Sequence, residues 1–336
     1  MLATGAKPDQ ECAKSKGAAH FRFPLSVQLY NVGAGRQPGG VRDVNDLMVD
    51  RGIIEVESLP FWKGPIKVWP LEGGVTNRNY GVQNAEGQRF AVRLGADRPE
   101  HGVMRFNEQA AARAAARAGI SPKIFYTAPG VMVSRLLPGR SLKPDEVQRP
   151  ENLLRIAALL RRCHTTMGPF LQGPLLAFWV FHVNRSYAHG LKDSRVAGHL
   201  PRLMEANDVL ESRVGKAEIV FCHNDLLAAN LFDDGARLWL LDWDFAGFNC
   251  ALFDLANLSS NNNFYPQEDE DLLAAYFGRG FERDEYDIFQ AFKCASLLRE
   301  VLWSATSEYG PSAAFDYARY TDDFLVRFDN AMAQLN

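Results

Sequence analysis

The segment HNDLLAANLFDDGARLWLLDWD, residues 223–244, decides how this chain is read. It holds two apolar runs, Asn230–Phe232 and Arg237–Leu241, separated by Asp233-Asp234-Gly235-Ala236. Asp-Gly is among the strongest hairpin signals, because both residues tolerate the backbone that a tight turn needs. A turn centred on Asp234-Gly235 would bring the loop His223–Asn230 and the segment Asp242–Asp244 to one end, where Asp225, Asn230, Asp242 and Asp244 converge. Asp233 and Asp234 belong to the turn itself. Clustered carboxylates repel and raise one another's pKa unless a cation or a proton lies between them. Oxygen ligands of this kind suit a hard divalent ion such as Mg2+, which takes one or two carboxylates together with substrate phosphates.

On either side of this segment the chain changes character. Residues 66–95, IKVWPLEGGVTNRNYGVQNAEGQRFAVRLG, alternate apolar and other residues as strands do, with glycine turns at Gly73-Gly74 and Glu86-Gly87. RFNEQAAARAAARAG, 105–119, consists of strong helix formers and ends on glycine, so one long helix follows the strands. Beyond 150, ENLLRIAALLRRCHTTM, ESRVGKAEIVF and DEYDIFQAFKCASLLREVLWSATSEYG carry apolar residues three and four apart, and this half reads as mainly helical. The expected division is a flexible extension over 1–42, a strand-rich lobe over 43–137 and a helical lobe over 138–336, with the hinge near Pro138, Gly139 and Pro144.

Composition narrows the partners. A net charge of −3 gives no global basic field, so nucleic acid is not expected. Five cysteines without a C-x-x-C pair suggest neither a disulfide framework nor zinc, and read as reduced thiols. No apolar run is long enough for a membrane helix and the N-terminus lacks the apolar core of a signal peptide, so a cytoplasmic protein without membrane insertion is expected.

H-x-D-x-x-x-x-N followed by a strand pair and a further Asp is the layout of a kinase catalytic loop and its metal-binding Asp, here His223, Asp225, Asn230 and Asp242. With these residues in place the chain resembles the choline/ethanolamine kinase family within the aminoglycoside phosphotransferase superfamily, over about residues 50–330. GGVTNRNY at 73–80 is similar to that family's phosphate loop, FAVRLGA at 90–96 to its third strand, LLDWD to its metal segment and FDLAN at 253–257 to its FD-x-x-N stretch.

The resemblance implies an α+β, protein-kinase-like two-lobed fold and ATP- and Mg2+-dependent transfer of a phosphoryl group to a small hydroxylated, cationic acceptor. Asp225 would accept the hydroxyl proton, His223 brace the loop, and Asn230 and Asp242 hold Mg2+. Gly73, Gly74, Thr76 and Asn77 would cradle phosphates, Arg93 align them while paired with Glu108, and Ser134, Arg135 and Leu137 lie where adenine meets the hinge. His164 looks like a structural histidine of the family.

A quaternary ammonium needs aromatic faces with an acid nearby. Asp244, Glu300, Trp303 and Trp179 are the expected substrate residues, with Phe181, Glu308 and Tyr309 as further material. Three positions depart from the choline kinases: Asp244 stands in place of Glu, Phe245 in place of a Tyr of the cation site, and Asn261 falls about where an acid is expected. The leading acceptors are choline and ethanolamine. The alternatives are a kinase for another hydroxylated metabolite or antibiotic, such as thiamine or an aminoglycoside, and a nucleotide-binding pseudokinase serving as an interaction module.

Overall fold

The computed structural model describes residues 44–71, 77–310 and 315–335. The expected extension over 1–42, together with Gly73, Gly74 and Thr76, lies outside them. The structure opens with helix α1 (Val44–Glu57), which the sequence reading did not anticipate. Strands β1 (Ile66–Pro70), β2 (Arg78–Asn84) and β3 (Arg89–Leu94), helix α2 (Arg105–Arg117), and strands β4 (Ile124–Ala128) and β5 (Val131–Arg135) follow. The strands form one antiparallel sheet in the order β1-β2-β3-β5-β4. Alternation along them puts Tyr80, Val82, Phe90, Val92, Leu94, Val131 and Val133 into a core of their own, closed by Val56 of α1.

Helix α2 ends as its glycine predicts. Gly119 takes a φ of +69°, the Ile120 amide bonds the Ala115 carbonyl at 2.8 Å, and the Gly119 amide bonds that of Ala116 at 3.1 Å. Its alanine face turns away from the small sheet's own cluster: Ala111, Ala112, Ala114 and Ala115 are buried in the large core that the second lobe builds. Just past the helix, Ser121 Oγ donates to the Leu240 carbonyl at 2.6 Å and accepts from Trp243 Nε1 at 2.8 Å. Small side chains on α2 thus let its backbone approach the large lobe closely.

The second lobe adds β6 (Arg140–Ser141), α3 (Pro144–Val147), α4 (Pro150–Thr166), α5 (Val180–Gly190), α6 (Leu200–Val214), β7 (Ile219–Cys222), β8 (Leu231–Asp233), β9 (Leu238–Leu240), β10 (Gly247–Cys250), α7 (Ala251–Asn261), α8 (Pro266–Phe277), α9 (Arg283–Ser307) and α10 (Tyr317–Leu335). Strand β8 lies between β6 and β9, while β7 pairs with β10. The stretch ESRVGKAEIVF therefore divides: its helical pattern stops at Val214, Gly215 turns with φ +60°, and Ile219–Cys222 becomes a strand because β10 offers it a partner. Cys163, Cys222, Cys250 and Cys294 are buried free thiols. Among the described residues, no helix is long and apolar enough to cross a membrane.

Ala115 is fully buried where α2 meets the large core. Ala115→Leu should lower the stability measured by chemical denaturation by about 1–3 kcal/mol, the usual cost of overpacking a filled interior. An unchanged unfolding midpoint would mean that this face is not tightly packed.

Candidate active site

The hairpin forms with the pairs Leu231–Leu240, Phe232–Trp239 and Asp233–Leu238, so its loop is the four residues 234–237 and the turn is not centred on Asp234-Gly235. The extra length is held by the acids assigned to it. Asp234 Oδ1 accepts from the amides of Ala236 and Arg237 at 2.9 and 2.8 Å, and Asp233 Oδ1 accepts from that of Gly235 at 2.9 Å. At the opposite end the Leu241 amide bonds the Asn230 carbonyl at 2.9 Å. That bond fixes the start of the Asp242–Asp244 segment against the end of the loop.

The loop itself is shaped from behind. Asp254 on α7 is fully buried, and its carboxylate accepts from the backbone amides of His223 and Asn224 at 2.8 and 2.7 Å and pairs with His164 Nε2 at 2.9 Å. Asn257, one turn further along α7, accepts from the Leu226 amide at 2.6 Å. His223 Nε2 donates to the Leu241 carbonyl at 2.9 Å, tying the loop to the hairpin. These bonds to His164 and to the loop amides hold the Asp254 carboxyl below its ordinary range against the opposing effect of burial.

Asp225 emerges from this frame beside Asn230, whose Nδ2 donates to the Asp225 carbonyl at 2.8 Å and lies 3.5 Å from its carboxylate. Burial raises the Asp225 pKa to about 7, with Glu300, Asp242 and Asp244 adding to the rise and Arg299 opposing it. Asp242 has a left-handed backbone, φ +67°, and its Oδ2 meets Arg93 Nη2 at 2.6 Å. Its Oδ1 is buried without a hydrogen-bond partner among the described residues. A buried carboxylate oxygen that no described residue engages, one residue after the Leu241 amide that bonds the Asn230 carbonyl, fits a hard cation with oxygen ligands.

On the small-lobe side Arg93 pairs with Glu108 at 2.5 Å, joining β3 to α2. Asp244 lies between this pair and Arg105: it is 3.2 Å from Arg93, 2.9 Å from Arg105 and 3.0 Å from Asn77 Nδ2. Arg105 also pairs with Glu108 at 2.6 Å. The two guanidinium groups keep the Asp244 carboxyl ionised below its ordinary range despite burial. Asp244 was expected at the substrate; its contacts are instead those of a lobe-joining ion. Arg105 escaped the sequence reading, although its position three residues before Glu108 on a helix was a signal.

Along the expected hinge, the amides of Arg135 and Leu136 are engaged by the carbonyls of Lys123 and Arg89 at 2.9 and 3.3 Å. Ser134 Oγ is 3.5 Å from the Ala91 carbonyl. Leu137 is buried with Phe232 and Leu241 beneath Trp239, an apolar floor next to the hairpin.

On the other side of Asp225, Glu300 accepts from Tyr320 at 3.2 Å, and Tyr320 packs near the half-buried ring of Trp303 at 6.2 Å. The structure does not bring Trp179 to this group. Its indole donates to Glu211 at 2.6 Å and its ring packs on Phe181 and Phe292. Its neighbour Phe178 faces inward, 5.9 Å from the guanidinium of Arg299, a residue the sequence reading passed over. Glu308 pairs with Arg195 at 2.8 Å, and Tyr309 is largely exposed.

A sequence model described as "Choline/ethanolamine kinase" matches residues 68–271, which takes in Arg93, Glu108, the loop and the hairpin. The chain belongs to the choline/ethanolamine kinase family. It is similar to mouse ethanolamine kinase 2, with 24% identity over 326 residues covering 87% of this chain and 80% of that protein. A choline/ethanolamine kinase family protein from Mesorhizobium loti has a similar structure, with TM-score 0.71, 26% identity, and 85% and 95% of the two chains covered. A spectinomycin phosphotransferase solved with ADP and spectinomycin shares the fold, with TM-score 0.54, 13% identity, and 79% and 93% covered. The protein is thus a small-molecule kinase with the two-lobed protein-kinase-like fold.

Asp254 supports the loop from which this kinase presents Asp225. Asp254→Ala leaves two amides and an imidazole unmatched, and at about 1–3 kcal/mol for each buried unsatisfied group the stability in chemical denaturation should fall by more than about 3 kcal/mol. A loss below about 1 kcal/mol would show that the loop holds its shape without this carboxylate.

Proposed function

We propose that this kinase transfers the γ-phosphoryl group of ATP, with Mg2+, to the hydroxyl of a small amino alcohol, ethanolamine and choline being the first candidates. The observation that carries the proposal is the meeting of Asp225, Asn230 and Asp242 at one end of a hairpin, with the Arg93–Glu108 pair against Asp242.

In this reading the acceptor hydroxyl hydrogen-bonds to Asp225. A pKa of about 7 suits a group that takes a proton and returns it to solvent near neutrality. The hydroxyl oxygen forms a bond to Pγ as the bond from Pγ to the bridging oxygen breaks; the proton passes to Asp225 and ADP leaves. Asn230 and Asp242 would hold Mg2+, with Oδ1 of Asp242, which no described residue engages, as one ligand. When bound, the ion neutralises phosphate charge and orients the transferred group. Arg93, held by Glu108 through Nη1, would offer phosphate oxygens the planar guanidinium whose Nη2 here meets Asp242. Positioning and charge neutralisation then supply most of the acceleration, since phosphoryl transfer asks little covalent chemistry of the protein.

Asp225→Asn and Asp242→Asn should each lower kcat by about two to four orders of magnitude, the range of a lost acid–base group or metal ligand, while the thermal midpoint stays near that of the parent. Measured with ATP, Mg2+ and a panel of amino alcohols, activity within a few-fold of the parent in either variant would remove the proposal. Chelating Mg2+ with excess EDTA should stop turnover, and restoring the ion should recover it.

A further inference from the structure

The aromatic seat beside Asp225 already holds a cation. Arg299, on the buried side of α9 and only 2% exposed, has its guanidinium centre 4.5 Å from the Phe245 ring and 5.9 Å from that of Phe178. Its Nη1 pairs with Glu300 and lies 3.5 Å from Asp225 Oδ1. Two aromatic faces with carboxylates close by are what a trimethylammonium group requires, because that cation has no N–H to donate and binds through ring quadrupoles and charge. A side chain of the protein fills that description here.

Two details mark the placement as more than ordinary packing. Nε and Nη2 of Arg299 are buried without hydrogen-bond partners among the described residues, so the guanidinium is held by the rings and the charges and not by a complete set of bonds. Around it stand Asp225 from the loop, Glu300 from its own helix, Phe245 from the segment after the hairpin, and Phe178 from the turn before α5. A second permanent cation brought here would meet a like charge in a region of low dielectric, with the ring faces already covered.

We propose that Arg299 is a specificity-determining residue that excludes quaternary ammonium acceptors, so that the kinase discriminates against choline and phosphorylates amino alcohols whose nitrogen carries hydrogens. The inference rests on the phosphotransfer reading given above and concerns which acceptors that reaction takes. A primary ammonium does not need the aromatic seat. It can donate to a carboxylate, which offers about four lone-pair sites. Glu300 uses only part of that capacity on Arg299 and Tyr320. Those hydrogen bonds offset its repulsion by the guanidinium, whereas the trimethylammonium group of choline has none to make.

The test compares kcat/KM for ethanolamine and choline, with ATP and Mg2+, in the full-length protein, in Arg299→Ala and in Arg299→Gln. The parent should favour ethanolamine by about tenfold or more, the worth of a lost cation–π seat. Arg299→Ala opens a space bounded by Phe245, Phe178, Asp225 and Glu300, and should move the ratio toward choline by at least tenfold. Arg299→Gln, which keeps more of the volume and removes the charge, should move it the same way by less. A binding measurement runs beside the kinetics: tetramethylammonium and guanidinium chlorides at millimolar concentration should raise the thermal midpoint of Arg299→Ala and leave that of the parent unchanged. A parent that uses choline as well as ethanolamine overturns the inference. So do variants in which neither the ratio nor the cation-dependent midpoint responds. If the parent phosphorylates no amino alcohol, the proposed function fails instead, and the midpoint response of the variants still decides whether Arg299 fills a cation seat.

Discussion

Asp244 is a charge that cannot be left alone. It is nearly fully buried, and a carboxylate in that position is tolerated only where cations and donors surround it. Arg93 from the sheet, Arg105 from α2 and Asn77, the residue before β2, all reach it. The need to satisfy one acid of the large lobe thereby draws three elements of the small lobe onto the hairpin's end. Glu108 completes the arrangement by pairing with both arginines. Asp242 lies against the same Arg93, and the position of the candidate metal ligand therefore depends on this cluster.

The loop bearing Asp225 is governed by the opposite device. There a buried acid, Asp254, is satisfied mainly by backbone amides, and its role is to hold the loop in a shape whose amides find no partner in regular structure. His164 closes the third side of Asp254, and Tyr276 holds His164 in turn at 2.8 Å. Among the described residues, His164, Cys222 and Asp254 bring ligand atoms close enough for a metal. The bonds of Asp254 to amides and of His164 to Tyr276 account for that proximity without one.

Much of this was legible in the sequence wherever a local rule decided the outcome. The hairpin, though its turn is not centred on Asp-Gly, the glycine after α2, and the alternation along β2 and β3 each carry their own signal, and each element is found. What escaped were contacts that only the tertiary fold creates. Arg105 and Arg299 look in isolation like ordinary helix residues; burial and the acids they meet are what set them apart. An arginine inside the apolar run SLLREVLW was the available warning for Arg299, since long charged side chains are rarely buried without a partner. Trp179 was the expected substrate ring, whereas its neighbour Phe178 is the one near Arg299, because adjacent residues face different sides of the chain. Ile219–Cys222 reads as part of a helical stretch until β10 is there to pair with it.

Helix α2 has a consequence for control. In protein kinases, activity is commonly switched by moving the helix that bears the glutamate partner of the strand cation. Here that helix is anchored: Ala111, Ala112, Ala114 and Ala115 are set into the large-lobe core, and the turn that follows is bonded to Leu240 and Trp243. Swinging Glu108 away from Arg93 would mean pulling an alanine face out of packed interior and breaking the Ser121 bonds in the same step. The Arg93–Glu108 pair is thereby tied to the packing of the large lobe, so that what holds the helix in place is the folded core itself.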